Sequence, residues 1–216
     1  MPTVIGAPLS PFVRKVRVAL AEKNVAYDLD PVIPFNPPAD FRKVSPLGKI
    51  PAFRDGDRTL SDSSVICAFL EKVHPDPALY PRDPYDYARA LWFEEFGDTA
   101  LAQNLTGTFF FQRIVGPRIL NQPTDEEVLK KAAEQDLPPL FDYLESQIGT
   151  GDALVGGAFS IADVGIGTQW VNARHAGFSL DTARWPKLGR YVDAVLSRPS
   201  FQKLIEEESK FFGKAA

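Results

Sequence analysis

The hydrophobic pattern at the start of the chain alternates between short extended runs and one longer helical segment. Thr3–Ile5 is a short apolar run of the kind that forms a strand. Residues 12–23 then repeat apolar positions at helical spacing, with basic residues on the other face. Ser10 and Pro11 are typical of a helix start, with serine as the N-cap and proline in the first turn. With a further strand over residues 26–30, this order predicts a βαβ unit with a right-handed crossover.

Residues 49–53 are a second kind of extended run, because a proline lies inside the apolar segment. Pro51 has no N–H to donate, so a strand containing it is expected at the edge of a sheet or at a bulge. The proline also holds Ile50 in an extended conformation and leaves its backbone polar groups available to a partner. The Asp-Gly pair at residues 55–56 is a strong hairpin signal and predicts a following strand that ends at Leu60.

A helix is predicted directly after this hairpin, and its start carries polar side chains. Residues 61–64, Ser-Asp-Ser-Ser, precede the apolar helical run over residues 65–70. Helix N-termini attract carboxylates through their unpaired N–H groups and the helix dipole. Asp62 is placed to hold an ammonium group beside them. Together with the backbone of Ile50, these groups suit an extended peptide that has a free amine and a free carboxylate.

The second half of the chain contains only helical patterns. Residues 75–84 are rich in proline and aspartate and are typical of a linker. Ser160 and Asp163 have the spacing of a capping box at the start of a buried helix. Helices are predicted over residues 85–114, 125–147, 160–176, 186–197 and 201–211. The predicted organisation is a first domain over residues 1–79, a linker over 80–86 and an all-helical domain over 87–216.

Composition limits the classes of protein to which these elements can belong. The chain has 216 residues, a formal net charge of −4 and a pI near 5.3. An acidic chain without a long run of one charge argues against a nucleic-acid partner. The absence of a bilayer-length apolar stretch and of a signal peptide argues against a membrane partner. Cys67 is the single cysteine, which excludes an internal disulfide and fits the reducing cytoplasm, and no cluster has the spacing of a metal site.

Five short segments occur in an order that is specific when they are taken together. They are Ser-Pro-Phe-Val-Arg-Lys-Val at 10–16, Pro-Leu-Gly-Lys-Ile-Pro at 46–51, Asp-Ser-Ser-Val-Ile at 62–66, Phe-Ser-Ile-Ala-Asp at 159–163 and Arg-Pro-Ser-Phe at 198–201. In this order the chain resembles, almost end to end, a cytosolic glutathione transferase of the serine type found in bacteria. The resemblance implies an α/β thioredoxin-like N-terminal domain followed by an all-α C-terminal domain. It also implies glutathione as co-substrate without a metal, a role in detoxification and a cytoplasmic homodimer.

The resemblance assigns roles to residues of the first domain. The hydroxyl of Ser10 is the expected catalytic group, which donates a hydrogen bond to the glutathione sulfur. Ile50, before a cis Pro51, is expected to pair with the backbone of the cysteine of glutathione. Asp62 and Ser63 are expected to hold the amine and the carboxylate of the γ-glutamyl group.

The electrophilic substrate is expected to be a hydrophobic small molecule, bound in part by the helical domain. The candidate residues of its pocket are Phe12, Val13, Phe110, Arg113 and Trp170. Because three consecutive phenylalanines, 109–111, cannot all lie on one side of a helix, at least one of them is expected in the core.

The glycine end of glutathione is where the sequence departs from the family. Many relatives have a basic residue in the loop after the second strand, whereas this chain has Asn36, Pro37 and Pro38 there. Lys49 or Arg42 is the alternative partner for the glycine carboxylate, and weak binding of glutathione is the other possibility.

Each assignment also has a purely structural alternative. Ser10 can serve only as an N-cap, Asp62 and Ser63 only as a capping pair, Pro51 as an edge-strand residue and Lys49 as a solvated side chain. The alternative functions are a non-catalytic binding or assembly module with the same fold, and a glutathione-dependent peroxidase or reductase.

Overall fold

The structure is a computed structural model that describes residues 1–35 and 37–212. Its contacts divide the chain into two compact units. The first unit contains Met1–Leu79 together with the described residues from Ser200 onward, and the second contains Tyr80–Pro199. The last helix therefore belongs to the first unit, although the sequence pattern groups it with the helical domain.

The first unit contains a mixed four-stranded sheet with the order β2-β1-β3-β4. Strands β1 and β2 are parallel, whereas β3 is antiparallel to both of its neighbours, β1 and β4. The elements are β1 Thr3–Ile5, α1 Pro11–Glu22, β2 Asp28–Asp30, a short 3₁₀ turn Phe41–Lys43, β3 Ala52–Asp55, β4 Arg58–Ser61 and α2 Ser63–Val73. This order confirms the predicted βαβ unit followed by a hairpin and a helix, which is the thioredoxin-like arrangement.

The strand around Pro51 differs from its prediction. Pro51 lies directly before β3 rather than inside it, and β3 is an internal strand with a neighbour on each side. The physical reason is that the strand begins at Ala52, so the proline never occupies a position where the ladder needs an N–H. The predicted hairpin turn is confirmed, since Gly56 has a φ of 59° between β3 and β4.

The predicted amphipathic helix α1 has basic residues on one face, and the structure shows that this face is buried. Arg14 and Lys15 have no exposed surface, and Arg17 is 4% exposed. Cations are seldom buried unless they are paired. The last helix, α9 Pro199–Phe212, supplies partners here, because Glu208 pairs with Arg14 and Glu207 pairs with Arg17.

The second unit is helical throughout its described elements, as predicted. Its first helix begins inside the predicted linker, because Asp83 caps the helix by accepting hydrogen bonds from the N–H groups of Tyr85 and Asp86. The elements are α3 Pro84–Phe96, the π-helical segment Gly97–Val115, α4 Gly116–Ile119, α5 Glu126–Lys131, the π-helical segment Ala132–Asp136, α6 Leu137–Gln147, α7 Ile161–His175 and α8 Pro186–Leu196. A π-helix of the length of Gly97–Val115 is unusual, since most are single turns.

Helix α7 is the centre of the second unit, and its residues from Ile161 to Ala173 are all buried. The predicted capping box at its start is present, with the Ser160 N–H donating to Asp163 Oδ2 at 2.8 Å. Gly165 approaches α3 closely, because a Cβ there would lie 3.2 Å from the Cα of Glu94. Within the described residues, no helix has the combination of length and apolar character needed to span a membrane.

Candidate active site

Three segments that carry predicted site residues meet the sheet at the same end. The register places Asp30 beside Ile5, Ile5 beside Ala52, and Ala52 beside Ser61. Strands β1, β2 and β4 end at this row, and the antiparallel β3 begins there. The loop to Ser10, the Ile50–Pro51 pair and the Asp62–Ser63 pair therefore lie at one end of the sheet, although a long stretch of sequence separates the first from the others.

A tight contact at Gly6 joins two of these segments. A Cβ at Gly6 would lie 2.6 Å from Cγ2 of Val13 and 3.0 Å from Cβ of Ile50. The distance to Val13 is too short for a real side-chain contact and the distance to Ile50 is unusually tight, so glycine is the residue that fits between them. Val13 is fully buried in this contact. Its structural role is to pack the start of α1 against the segment before β3.

Ser10 occupies the N-cap of α1, as predicted, with φ −70° and ψ 127°. Its Oγ accepts a hydrogen bond from the Val13 N–H at 3.4 Å. A hydroxyl that accepts in this way retains its own proton for donation to a second group. Pro11 is the first helical residue and has no N–H, so the Phe12 N–H is the first donor at this helix start. The N-cap role and a donor role of Ser10 are thus compatible.

Ile50 and Pro51 are joined by a cis peptide bond, as the resemblance implies. Ile50 is half-buried and packs against the cluster of Ile5, Val32, Phe41 and Ala52. The turn that precedes Ile50 is held by a hydrogen bond, because the buried Ser45 hydroxyl donates to the Lys49 carbonyl at 2.6 Å. The backbone that precedes Pro51 is therefore held in place on both sides.

Asp62 is the N-cap of α2, and it accepts hydrogen bonds from Ser64 N and Val65 N at 2.9 and 3.2 Å. Its φ is 81° and its ψ 130°, a conformation that residues other than glycine rarely adopt. Both bonds use Oδ1, and the side chain is exposed. The neighbouring Ser63 is only 4% exposed. An observed backbone outlier beside a buried hydroxyl is the kind of feature that points to function.

Lys15 is a residue of this region that sequence reasoning did not identify. Its ammonium group is fully buried and donates to Ser64 Oγ at 2.8 Å. This bond connects the second turn of α1 to the first turn of α2, and so links the two helices that begin at Ser10 and Ser63. The sequence pattern placed Lys15 with Arg14 and Arg17 on the basic face of α1 and gave no indication of its contact with Ser64.

The two cations proposed for the glycine carboxylate lie on the turn that leads to Ile50. The Arg42 guanidinium donates to the Pro46 carbonyl at 3.2 Å and lies against Gly48, where a Cβ would be 3.5 Å from Cζ. Lys49 and Arg42 are both exposed. Asn36, at which the family pattern is broken, lies outside the described residues.

The five candidates for the electrophile pocket differ in their local surroundings. Phe12 is half-buried and Val13 is fully buried in the first unit. Phe110 is 5% exposed, and Arg113 forms a two-pronged ion pair with Glu126 at 2.7 and 3.0 Å.

Trp170 is a packing residue within its own unit. It is 2% exposed and stacks on Phe141 with 5.3 Å between the ring centroids. Its indole N–H has no hydrogen-bond partner within the described structure. A role beside the substrate stays a prediction for all five candidates.

The thioredoxin-like unit, its cis-proline segment and the following helical unit define the fold of the glutathione transferases. Two family models match the chain accordingly. The model for the N-terminal domain of glutathione S-transferase matches residues 4–78, and the model for the C-terminal domain matches residues 93–194. The chain belongs to the glutathione S-transferase family and is a transferase enzyme.

Individual relatives agree with this assignment. A glutathione S-transferase of Triticum aestivum is 29% identical over 211 residues, which are 95% of this chain and 93% of the relative. The crystal structure of a glutathione S-transferase from Rhodospirillum rubrum F11 superposes with a TM-score of 0.85 at 25% identity, covering 94% of this chain and 91% of the other. A glutathione S-transferase from Methylobacterium radiotolerans JCM 2831, solved in complex with glutathione sulfonate, is 30% identical with a TM-score of 0.76, covering 94% of each chain.

Proposed function

We propose that this enzyme binds glutathione along the Ile50 backbone, ionises its thiol with Ser10 and transfers it to a hydrophobic electrophile. The observation that carries the proposal is the sheet register, in which Ile5, Ala52 and Ser61 are neighbours. The segments that carry Ser10, Ile50 and Asp62 all join the sheet at these positions. A catalytic hydroxyl, an extended backbone and a helix N-terminus thus lie within reach of one short peptide.

The task of Ser10 is to stabilise the thiolate form of glutathione. A free thiol has a pKa of about 8.5, so only a small fraction is ionised at neutral pH. Lowering that pKa by about two units corresponds to about 2.7 kcal/mol of differential stabilisation. The Ser10 hydroxyl and the Phe12 N–H at the start of α1 supply donors for this purpose. Ser10 takes no proton; the thiol proton leaves to solvent.

The remaining polar groups orient the tripeptide. The backbone of Ile50 pairs with the cysteine of glutathione, the N-terminus of α2 with Ser63 binds the γ-glutamyl carboxylate, and Asp62 binds its amine. Lys49 and Arg42 are the cations available on the preceding turn for the glycine carboxylate.

The bond-forming step is a nucleophilic attack by the ionised sulfur. The sulfur donates an electron pair to the electrophilic carbon, a carbon–sulfur bond forms, and the leaving group departs with its bonding pair. Positioning of the two reactants supplies the part of the acceleration that ionisation does not. Phe12 and Val13, with Phe110, Arg113 and Trp170 of the helical unit, are the proposed determinants of electrophile choice. A cytoplasmic homodimer with a role in detoxification completes the proposal, with residues 1–79 as the glutathione-binding domain.

The test compares the wild-type enzyme with Ser10→Ala. The measurements are binding to immobilised glutathione, turnover of a chloronitroaromatic substrate and the pH titration of the bound thiolate by its ultraviolet absorbance. We expect Ser10→Ala to keep glutathione binding, to raise the pKa of the bound thiol and to lower turnover at neutral pH by about tenfold or more. Unchanged turnover with an unchanged thiol pKa contradicts the role of Ser10, and absence of glutathione binding by the wild type contradicts the function as a whole.

A further inference from the structure

Glu208 of α9 and Arg14 of α1 form a two-pronged ion pair inside the first unit. Arg14 Nε donates to Glu208 Oε1 at 2.8 Å, and Nη2 donates to Oε2 at 2.5 Å. Neither side chain has any exposed surface. A carboxylate that engages both edges of a guanidinium fixes the plane of the group as well as its position.

The same Arg14 also holds the segment that carries Ser10. Its Nη2 donates to the Leu9 carbonyl at 3.4 Å, and its backbone N–H donates to the Ser10 carbonyl at 2.9 Å. The second bond is an ordinary helix bond that does not depend on the Arg14 side chain, whereas the first lets the guanidinium restrain the peptide group that joins Leu9 to Ser10. Since Glu208 fixes the guanidinium, it also fixes the donor that reaches Leu9.

We infer that Arg14 and Glu208 are a positioning pair for the Ser10 hydroxyl, so that α9 forms part of the glutathione site. The inference rests on the proposed role of Ser10. Neither residue of the pair is assigned a contact with reacting atoms; both act through the backbone of Leu9 and Ser10. A displacement of about 1 Å at a reacting group is enough to slow a reaction substantially.

A second ion pair between the same two helices provides the contrast. Glu207, the neighbour of Glu208, pairs with Arg17, but its side chain is 39% exposed. Arg17 donates to the Tyr27 hydroxyl at 2.8 Å, and no bond from it reaches the Ser10 segment within the described residues. This second pair links α9 to α1 without restraining the loop, so Glu207→Gln is the matched control for Glu208→Gln.

The experiment measures both variants in the wild-type and Ser10→Ala backgrounds. The readouts are kcat and KM for glutathione with a chloronitroaromatic substrate, the pH titration of the bound thiolate and the temperature of unfolding. We expect Glu208→Gln to lower kcat by about tenfold and Glu207→Gln to change it by less than about twofold. In the Ser10→Ala background, Glu208→Gln should cause no further loss of kcat, because residues that act through one group are not additive.

The direction in which Glu208→Gln changes the pKa of the bound thiol distinguishes a positioning effect on Ser10 from a direct effect of charge. Glu208→Gln removes the carboxylate that pairs with the Arg14 cation, and a less neutralised cation would favour the thiolate and lower the thiol pKa. Loss of a well-placed Ser10 hydroxyl has the opposite effect and raises it. We expect the pKa of the bound thiol to rise, and an unchanged or lowered value overturns the inference even if the unfolding temperature falls.

A second substitution covers the case in which Glu208→Gln does not fold. Arg14→Lys keeps a cation opposite Glu208 but lacks the fork that also reaches Leu9, and it should raise the thiol pKa and lower kcat in the same way. If Ser10→Ala itself leaves kcat unchanged, the proposed role of Ser10 fails and this inference with it. If Ser10→Ala is impaired while Glu208→Gln and Arg14→Lys behave like Glu207→Gln, only this inference fails.

Discussion

The ammonium group of Lys15 lies 2.8 Å from Ser64 Oγ, which places a buried cation against the first turn of α2. That turn carries Ser63, the residue proposed to bind the γ-glutamyl carboxylate. The helix N-terminus already favours an anion through its dipole and its unpaired N–H groups. Lys15 orients the side chain of Ser64, which lies in the same turn as Ser63. We therefore expect Lys15 to stabilise the proposed carboxylate site without contacting the carboxylate itself.

Replacement of Lys15 by methionine should therefore weaken glutathione binding more than catalysis. Methionine has a similar length but cannot donate to Ser64, and hydrogen bonds from charged groups contribute about 1.5–3 kcal/mol. We expect the dissociation constant for glutathione to rise by about tenfold or more, with a smaller change in kcat. Isothermal titration calorimetry with glutathione and steady-state kinetics provide the two numbers.

Lys72→Met is the matched control, since Lys72 lies on the same helix α2 but is exposed. It should leave glutathione affinity unchanged. Equal affinities for wild type and Lys15→Met would show that the Lys15–Ser64 bond does not support the carboxylate site.

Gly6 provides a second prediction, because a methyl group there would overlap with Val13 and Ile50. Gly6→Ala must displace Val13, whose Cγ2 is the nearest atom, and it also crowds Ile50 in the segment before Pro51. Overpacking of this kind costs about 1–3 kcal/mol of unfolding free energy, and glutathione affinity should fall as Ile50 moves. Urea unfolding and calorimetry with glutathione measure the two effects.

The control for Gly6→Ala is Gly56→Ala in the β3–β4 turn. Gly56 has a φ of 59° but no neighbouring atom within 4 Å of an added Cβ. This substitution should cost about 1 kcal/mol of backbone strain and leave glutathione affinity intact. The prediction for Gly6 fails if both variants lose stability and neither loses affinity.

Asp62 allows the binding and capping roles to be separated. Asparagine caps helices as well as aspartate does, so Asp62→Asn should preserve stability while removing the charge that we propose binds the γ-glutamyl amine. We expect weaker binding of glutathione but unchanged binding of an analogue that lacks the α-amine. Equal losses for both ligands would indicate that Asp62 acts only on the helix start.

Local patterns were sufficient to predict most of the first unit. Ser10 with Pro11 predicted the N-cap of α1, and the Asp-Gly signal at residues 55–56 predicted the hairpin, because both depend on adjacent residues. The family resemblance added the cis bond before Pro51.

Features that depend on distant parts of the chain were not predictable in this way. The pattern predicts a helix over residues 201–211 but does not show that it packs on the basic face of α1, because its Glu208 lies 194 positions from Arg14. Lys15 was missed for the same reason, since its partner Ser64 is 49 positions away. Periodicity shows which residues share a face, but only the tertiary fold shows what covers that face.

The helical unit contains a buried acidic group whose ionisation can be tested. Asp163 accepts hydrogen bonds from Leu154 N at 2.9 Å, Ser160 N at 2.8 Å and the Tyr191 hydroxyl at 2.8 Å. Burial raises the pKa of Asp163 above its ordinary value, and these hydrogen bonds only partly oppose that effect. Burial and the Asp163 carboxylate likewise raise the pKa of the Tyr191 hydroxyl.

The sign of the resulting pH dependence follows from the raised pKa of Asp163. The folded state holds the proton more tightly than the unfolded state, so this group stabilises the fold below its unfolded pKa of about 3.9. That contribution is lost as the pH rises through the folded pKa.

An asparagine side chain does not ionise, so the unfolding free energy of the wild type minus that of Asp163→Asn should fall as the pH rises above about 4. Chemical denaturation of both proteins at a series of pH values gives this difference, with Asp152→Asn as the exposed counterpart. A difference that increases with pH would mean that these three hydrogen bonds, together with the one from the Ser160 hydroxyl at 3.2 Å, outweigh the desolvation of the carboxylate.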